Sequence, residues 1–150
     1  EDKLGIHASP TCVMSFGEND GAVGWLIGAE NTGMAAMFTM MNNARLNVGI
    51  QGVGLAEQAT QIAMSYAADR VQGRAPDADK GDNTPVPIAN HPDVRNMLMT
   101  MRSLTDAARA ICYENGVFHD LAHFGGDKKA KAFNDLLTPI SKAFSTDIDN

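Results

Sequence analysis

The sequence predicts a mainly α-helical protein: an up-down bundle of about three long helices, incomplete as a bundle, preceded by a short β segment. Three observations support this. From about Gly33, Met34, Met37, Met41, Ala44 and Val48 recur at helical spacing, followed by Leu55, Ala59, Ile62, Ala63 and Tyr66. Asn90-His91-Pro92-Asp93 combines a capping residue, a first-turn proline and an acid near the positive helix end, the signals of a second helix start. Before Gly33 the period differs, with short apolar runs separated by turn residues.

Residues 3–27 read as β-like, with strands at Val13–Phe16 and Val23–Ile27 and a turn over Gly17–Gly21. Such short strands cannot bury their faces alone, so they need another sheet or the helices that follow. The first helix runs from about Gly33 to a stop at Gly73. Gly49, Gly52 and Gly54 interrupt it. Each costs about 1 kcal/mol of propensity relative to Ala, which suits close approach of another helix or a ligand. Residues 75–90, rich in Pro, Asp and Gly, form an exposed loop. The second helix continues through Met97, Leu98, Met101, Leu104, Ala108, Ile111 and Cys112 to about His123. Phe124–Asp127 breaks the pattern. Lys128 opens a third helix through Ala132, Leu136, Ile140, Ala143 and Phe144, in which Pro139 either makes a kink or marks a true first turn capped by Thr138. That pattern reaches Asn150 without a stop signal, and the chain opens on Glu1 rather than Met. Both ends are expected to be truncated, and the chain is expected to begin inside a larger protein.

With 150 residues, 44% apolar and 20% charged, the composition is that of a folded domain and excludes disordered and fibrous classes. A net charge of −6 argues against general nucleic-acid or membrane-surface binding, which rewards clustered cations. No run of 18 apolar residues is present. Cys12 and Cys112 are far apart and read as reduced thiols, giving a cytoplasmic expectation.

Few residues stand out chemically. His119 and His123 share one helical face at a spacing that suits two zinc ligands. The metalloprotease pattern places Glu after the first histidine, where Asp120 stands, and no third ligand is evident, so no metal site is predicted. Gly49-Ile50-Gln51-Gly52-Val53-Gly54 lies within a helical pattern, which fails the context of a dinucleotide loop. Arg45, between Ala44 and Leu46, is costly near an apolar stripe unless partnered. Either a buried ion pair or a contact to an anionic or amide-rich ligand would satisfy it. Arg70 at the helix end could simply compensate the helix dipole.

The order of residues is more specific. Lys3-Leu4-Gly5-Ile6, Ser9-Pro10-Thr11, Leu26-Ile27-Gly28, Glu30-Asn31-Thr32-Gly33-Met34, Ala44-Arg45, Gly52–Ala56, Tyr66-Ala67, Arg70, His91-Pro92 and Pro139–Phe144 occur in sequence along nearly the whole chain. Together they resemble the acyl-CoA dehydrogenase family. Arg70–Arg74, the acidic insertion and the His91–Leu98 helix start resemble one subgroup within it.

The resemblance implies that residues 1–30 end a middle β-domain, of β-barrel type, and that residues 31–150 form part of a C-terminal helical bundle. It implies substrate contacts at Asn42, Asn43, Ala44 and Arg45, with Arg45 at the family's characteristic arginine. It implies FAD contacts at Arg70, Val71, Gln72, His91 and Pro92, often to the FAD of a neighbouring subunit. Gln72 stands where the family usually has Phe, and Pro92 replaces an amide side chain. The implied reaction is α,β-dehydrogenation of an acyl-CoA thioester, with electrons passing to electron-transfer flavoprotein, in a homodimer or homotetramer. One branch of the family places its catalytic carboxylate just before the characteristic arginine; Ala44 cannot take a proton, so the base is expected beyond Asn150 and the chain alone is expected to be inactive. A non-catalytic helical self-association module of the same fold is the alternative, and a zinc-binding protein built on His119 and His123 the weakest reading.

Overall fold

The computed structural model describes residues 1–3 and 5–148. Leu4, in the run that opens the family resemblance, and Asn150, the expected unfinished end of the third helix, lie outside the described residues. The chain divides into two compact units, residues 1–35 and 36–150.

The first unit is held by local turns. The amide of Ile6 bonds the Lys3 carbonyl, and the Lys3 ammonium reaches the Ser9 carbonyl at 2.7 Å and Thr11 Oγ1 at 2.9 Å. The expected turn is present, with Asn19, Asp20 and Gly21 all at positive φ (50°, 78° and 77°). The expected strands are not: Val13–Phe16 and Val23–Ile27 belong to no ladder. A strand needs a partner row to satisfy its backbone and a face to bury. Neither is supplied here, and Val13, Trp25 and Ile27 are 100%, 86% and 93% exposed.

The first helix, α1, spans Gly33–Asp69 and begins within the last residues of that unit. A short strand β1 (Val71–Arg74), its antiparallel partner β2 (Pro85–Pro87) and a single 3-10 turn (Ile88–Asn90) lead to α2 (Pro92–His123) and α3 (Lys128–Asp147). The helix expected to stop at Gly73 therefore ends at Asp69. Gly73, at φ 71°, sits in β1 instead. The expected loop at 75–90 is ordered at its far end into β2 and the 3-10 turn.

Side-chain pairs fix the direction of each helix. Thr60 meets Thr105 and Glu57 meets Arg109, so α1 and α2 run antiparallel. Cys112 meets Ser145 and Phe118 stacks on Phe133, so α2 and α3 also run antiparallel. Gly49 lies against Ser141 and Gly52 against Ser145, so α1 and α3 are parallel. The up-down-up order follows.

The seam between the helices differs from the expected apolar stripes. In α1 the buried residues are Gly49, Gly52, Val53, Ala56, Thr60 and Ala67. In α2 they are Thr105, Ala108, Cys112 and Asn115, and in α3 Ala130, Asn134, Thr138, Ser141 and Ser145. These recur at alternating steps of mainly three and four, the spacing of helices crossing at a shallow angle. Leu55, Ile62, Tyr66, Leu136 and Ile140, all expected inside, are exposed. Small side chains let the backbones approach, and the larger apolar residues are left on the outer faces. A Cβ built on Gly52 would lie 2.6 Å from the Ser145 carbonyl oxygen and one on Gly49 3.1 Å from that of Ser141, whereas Gly54 faces open space.

Polar seam residues require partners, and all have them. Asn115 Nδ2 donates to Ser141 Oγ at 3.1 Å, while Asn134 Nδ2 donates to Asn115 Oδ1 at 2.8 Å. The Thr60 and Thr105 hydroxyls lie 3.2 Å apart, each also 2.8 Å from a carbonyl one turn back, so when one donates across to the other, the second donates to its own helix. Among the described residues no buried side-chain nitrogen or oxygen lacks a partner.

Helix ends follow local chemistry. Asp127 caps α3 by accepting from the Lys129 and Ala130 amides, so α3 starts where expected. Pro139 lies inside this continuous helix; Thr138 is not a cap, its hydroxyl donating to the Asn134 carbonyl at 2.7 Å. His91 rather than Asn90 is the N-cap residue of α2, with Pro92 following it.

At the α1–α2 contact, Glu57 pairs with Arg109 and, at 3.6 Å, with Arg102. Asp106 bonds both arginines. Hydrogen bonds from Gln61 and Arg109 hold the Glu57 carboxyl below its ordinary value of 4.5, and the charges of Arg109 and Arg102 reinforce this. A carboxylate with a lowered folded pKa contributes stability above its unfolded pKa and loses it as pH falls through the folded value.

Two predictions follow from this packing. Gly52→Ala should destabilise the chain by about 1–3 kcal/mol through overpacking, whereas Gly54→Ala should stabilise it by about 0.5–1 kcal/mol; urea denaturation measures both, and equal effects would refute the close α1–α3 contact. Thermal midpoints between about pH 5 and about pH 3 should fall more steeply in the wild type than in Glu57→Gln; parallel slopes would show that the Glu57 cluster contributes nothing.

Candidate functional site

The residues singled out from the sequence fall into two groups at opposite ends of α1. The first group, Asn42, Asn43, Ala44 and Arg45, occupies slightly more than one turn within the first third or so of α1. Asn42 and Asn43 are exposed, while Ala44 and Arg45 are half-buried. Arg45 lies over the Phe38 ring, 5.7 Å from its centroid, and Nη1 donates to Asn42 Oδ1 at 3.4 Å. Phe38 and Asn42 precede Arg45 by seven and three residues, so all three share one helix face. Among the described residues no carboxylate pairs with Arg45. Of its two possible partners, the buried ion pair is therefore not the one present. The methyl group of Ala44 offers nothing that could accept a proton.

The second group is assembled by the hairpin. Arg70 ends the α1 hydrogen-bond pattern, its amide bonding the Tyr66 carbonyl at 2.8 Å, and its own carbonyl accepts from the Ile88 amide at 2.8 Å. The guanidinium does not serve the helix end; Nη2 donates to Gln72 Oε1 at 3.2 Å. Val71 pairs with Pro87 across the ladder and keeps its side chain exposed. His91 Nε2 lies 2.7 Å from the Gln72 carbonyl oxygen. That oxygen can only accept, so Nε2 carries the hydrogen. Pro92 is the first residue of α2 and is exposed. Arg70, Gln72 and His91, 21 residues apart at the extremes, are thus one connected cluster.

The two groups do not meet. Arg45 and Arg70 are 25 residues apart on one helix and its immediate end, which at 1.5 Å per residue is about 37 Å. A cavity of about 110 Å³ lined by Ala56, Thr60, Met101, Leu104, Thr105, Ile148 and their neighbours includes none of these residues. His119 and His123 stack with ring centroids 4.1 Å apart, and His123 Nδ1 lies 2.9 Å from the His119 carbonyl oxygen. Among the described residues no three metal-ligating side chains converge.

Comparison with known proteins decides the family. Residues 31–129 match the family described as acyl-CoA dehydrogenase, C-terminal domain. The chain belongs to the acyl-CoA dehydrogenase family. It is 47% identical over 98% of its length to 3-methylmercaptopropionyl-CoA dehydrogenase of Ruegeria pomeroyi, in line with the subgroup resemblance of the Arg70–Arg74 and His91–Leu98 segments. It is 39% identical over 99% of its length to a butyryl-CoA dehydrogenase of Syntrophomonas wolfei, and 34% identical over 98% to a broad-specificity linear acyl-CoA dehydrogenase of Mycobacterium tuberculosis. The chain spans 25% of the length of each of these relatives.

Sequence reasoning missed how the second group is joined. Extended residues on both sides of an Asp- and Gly-rich turn, Val71–Arg74 and Pro85–Pro87, carried a hairpin signal, obscured by the strength of the preceding helical period.

Proposed function

We propose that this chain is a segment of an FAD-dependent acyl-CoA dehydrogenase, which removes an α-proton and a β-hydrogen from an acyl-CoA thioester. Its residues 1–30 are read as the end of the middle β-domain and residues 31–150 as part of the C-terminal bundle. The observation that carries the reading is the Arg70–Gln72–His91 cluster. Among the described residues no carboxylate pairs with Arg70, and an amide rather than an acid steadies it. A guanidinium held beside a strand with donors to spare suits the pyrophosphate of a dinucleotide. Bound FAD would supply the two-electron acceptor that dehydrogenation requires.

This chain's own contribution is binding and orientation. Arg45, steadied by Phe38 and Asn42, offers a cation and unused donors to the acyl-CoA, with Asn42 and Asn43 as amide partners and Ala44 leaving room beside them. Val71 and Pro92 flank the flavin-side cluster. Ala44 supplies no base, so the proton acceptor is proposed to be a carboxylate outside the Asn42–Arg45 turn. A carboxylate there would need burial to act near neutral pH.

The separation of about 37 Å between Arg45 and Arg70 supports a homodimer or homotetramer in which the two ends of α1 serve different active sites. The apolar side chains on the outer helix faces, Leu55, Ile62 and Leu136 among them, also favour further helical contacts. Electron-transfer flavoprotein is the proposed electron acceptor and the cytoplasm the proposed location.

Purified full-length protein should carry flavin absorbance. Arg45→Ala in that protein should raise the acyl-CoA KM or lower turnover by at least about tenfold, a loss on the scale of one charge-assisted contact. Unchanged kinetics would remove Arg45 from the substrate site, and absence of flavin would favour the non-catalytic helical module.

A further inference from the structure

We propose that His91 is a positioning residue: its ring, bonded to the Gln72 carbonyl, holds the strand that directly follows Arg70, so that Arg70 meets an anionic, phosphate-bearing ligand. The proposal rests on the flavin reading of Arg70 given above.

The hairpin needs such a clamp. β2 is Pro85-Val86-Pro87, and proline has no N–H, so Val86 is its only possible ladder donor. The register is also irregular between Val71 and Arg74, and residues 75–84 join the strands through an acidic, Pro- and Gly-containing loop. A ladder this short does not persist by its own hydrogen bonds. Two contacts from beyond β2 replace what the prolines remove. The Ile88 amide donates to the Arg70 carbonyl at 2.8 Å, and His91 Nε2 donates to the Gln72 carbonyl at 2.7 Å.

His91 is itself well anchored. Its amide bonds the Ile88 carbonyl at 3.0 Å, and its carbonyl accepts from the Arg95 amide at 3.0 Å in the first turn of α2. The rigid start of α2 is thereby tied through one ring to β1. Gly73 lies beside that ring and holds φ 71°, a conformation glycine adopts without strain, while a Cβ there would only touch His91 Cε1 at 3.4 Å. Gln72 then links the two halves, its backbone accepting from His91 and its side chain accepting from Arg70. The Gln72 side chain is an amide that can orient a guanidinium, and His91 fixes the backbone from which that amide projects.

The test measures FAD dissociation constants by fluorescence quenching with flavin-stripped full-length protein. His91→Leu, which keeps bulk and removes the donor, should weaken binding about tenfold, the scale of one hydrogen bond to a charged site's support. His91→Gln, which returns an N–H donor, should stay within about threefold of wild type. In an Arg70→Ala background, His91→Leu should add little further loss, because residues acting through one contact are non-additive. Gly73→Val, which leaves every donor in place but cannot easily hold positive φ, should reproduce the loss and serves if His91→Leu does not fold. Equal loss in His91→Gln and His91→Leu, or losses that add fully with Arg70→Ala, would overturn the proposal while leaving the flavin reading intact. Wild-type protein that binds no FAD would overturn the flavin reading itself, and this proposal with it.

Discussion

Close approach of α1 to α3 at Gly49 and Gly52 is the constraint on which the bundle depends. Without side chains at these two positions, the α1 backbone can lie against the Ser141 and Ser145 carbonyls. At that spacing only small groups fit on the facing helices, and α2 and α3 supply Thr105, Ala108, Cys112, Thr138, Ser141 and Ser145. Many of these are polar, so their burial is tolerable only with complete hydrogen bonding. Asn115 meets that demand at the centre, bonding Ser141 and accepting from Asn134. Such a network specifies one register, since a shift by one residue would leave several donors unmatched.

A narrow polar seam has a consequence for everything outside it. Many of the large apolar side chains that ordinarily fill a helical core are turned outward here, although Phe144 and Ile148 pack against Val53, Ala108 and Cys112. α1 is also long, 37 residues. It carries the Arg45 turn within its first third or so and delivers Arg70 at its end, where the chain changes from helix to strand within one residue. The hairpin turns that ending into a connected cluster by returning the chain so that His91, at the head of α2, reaches Gln72.

Much of this was legible in residue order and part was not. Helix existence, the Asp127 and Lys128 restart and the Pro92 helix start follow from local signals such as propensity, capping and the fixed φ of proline, and the structure reproduces them. The candidate site residues were named one at a time, through their resemblance to a known family. Their joining was not, because the Arg70–Gln72–His91 cluster depends on a hairpin with one ladder donor in β2 and on a ring-to-carbonyl bond spanning 19 residues. Periodicity also placed the stripes on Leu55, Ile62, Leu136 and Ile140, since hydrophobicity marks what would gain from burial and not which face meets a neighbour.

By itself the sequence determined the helical class and the membership of the acyl-CoA dehydrogenase family, because these are properties of local chemistry and residue order; of the three glycines it marked for close approach, Gly49 and Gly52 make one and Gly54 does not. Only the tertiary structure decided which face of each helix is inside and that Arg70 and His91 both bond Gln72. It also decided that Arg45 is steadied by a ring and an amide rather than by an acid. The reason is physical: each of these outcomes depends on contacts between residues far apart in the chain, whose strength is set by distance and burial, and neither quantity exists until the helices have packed.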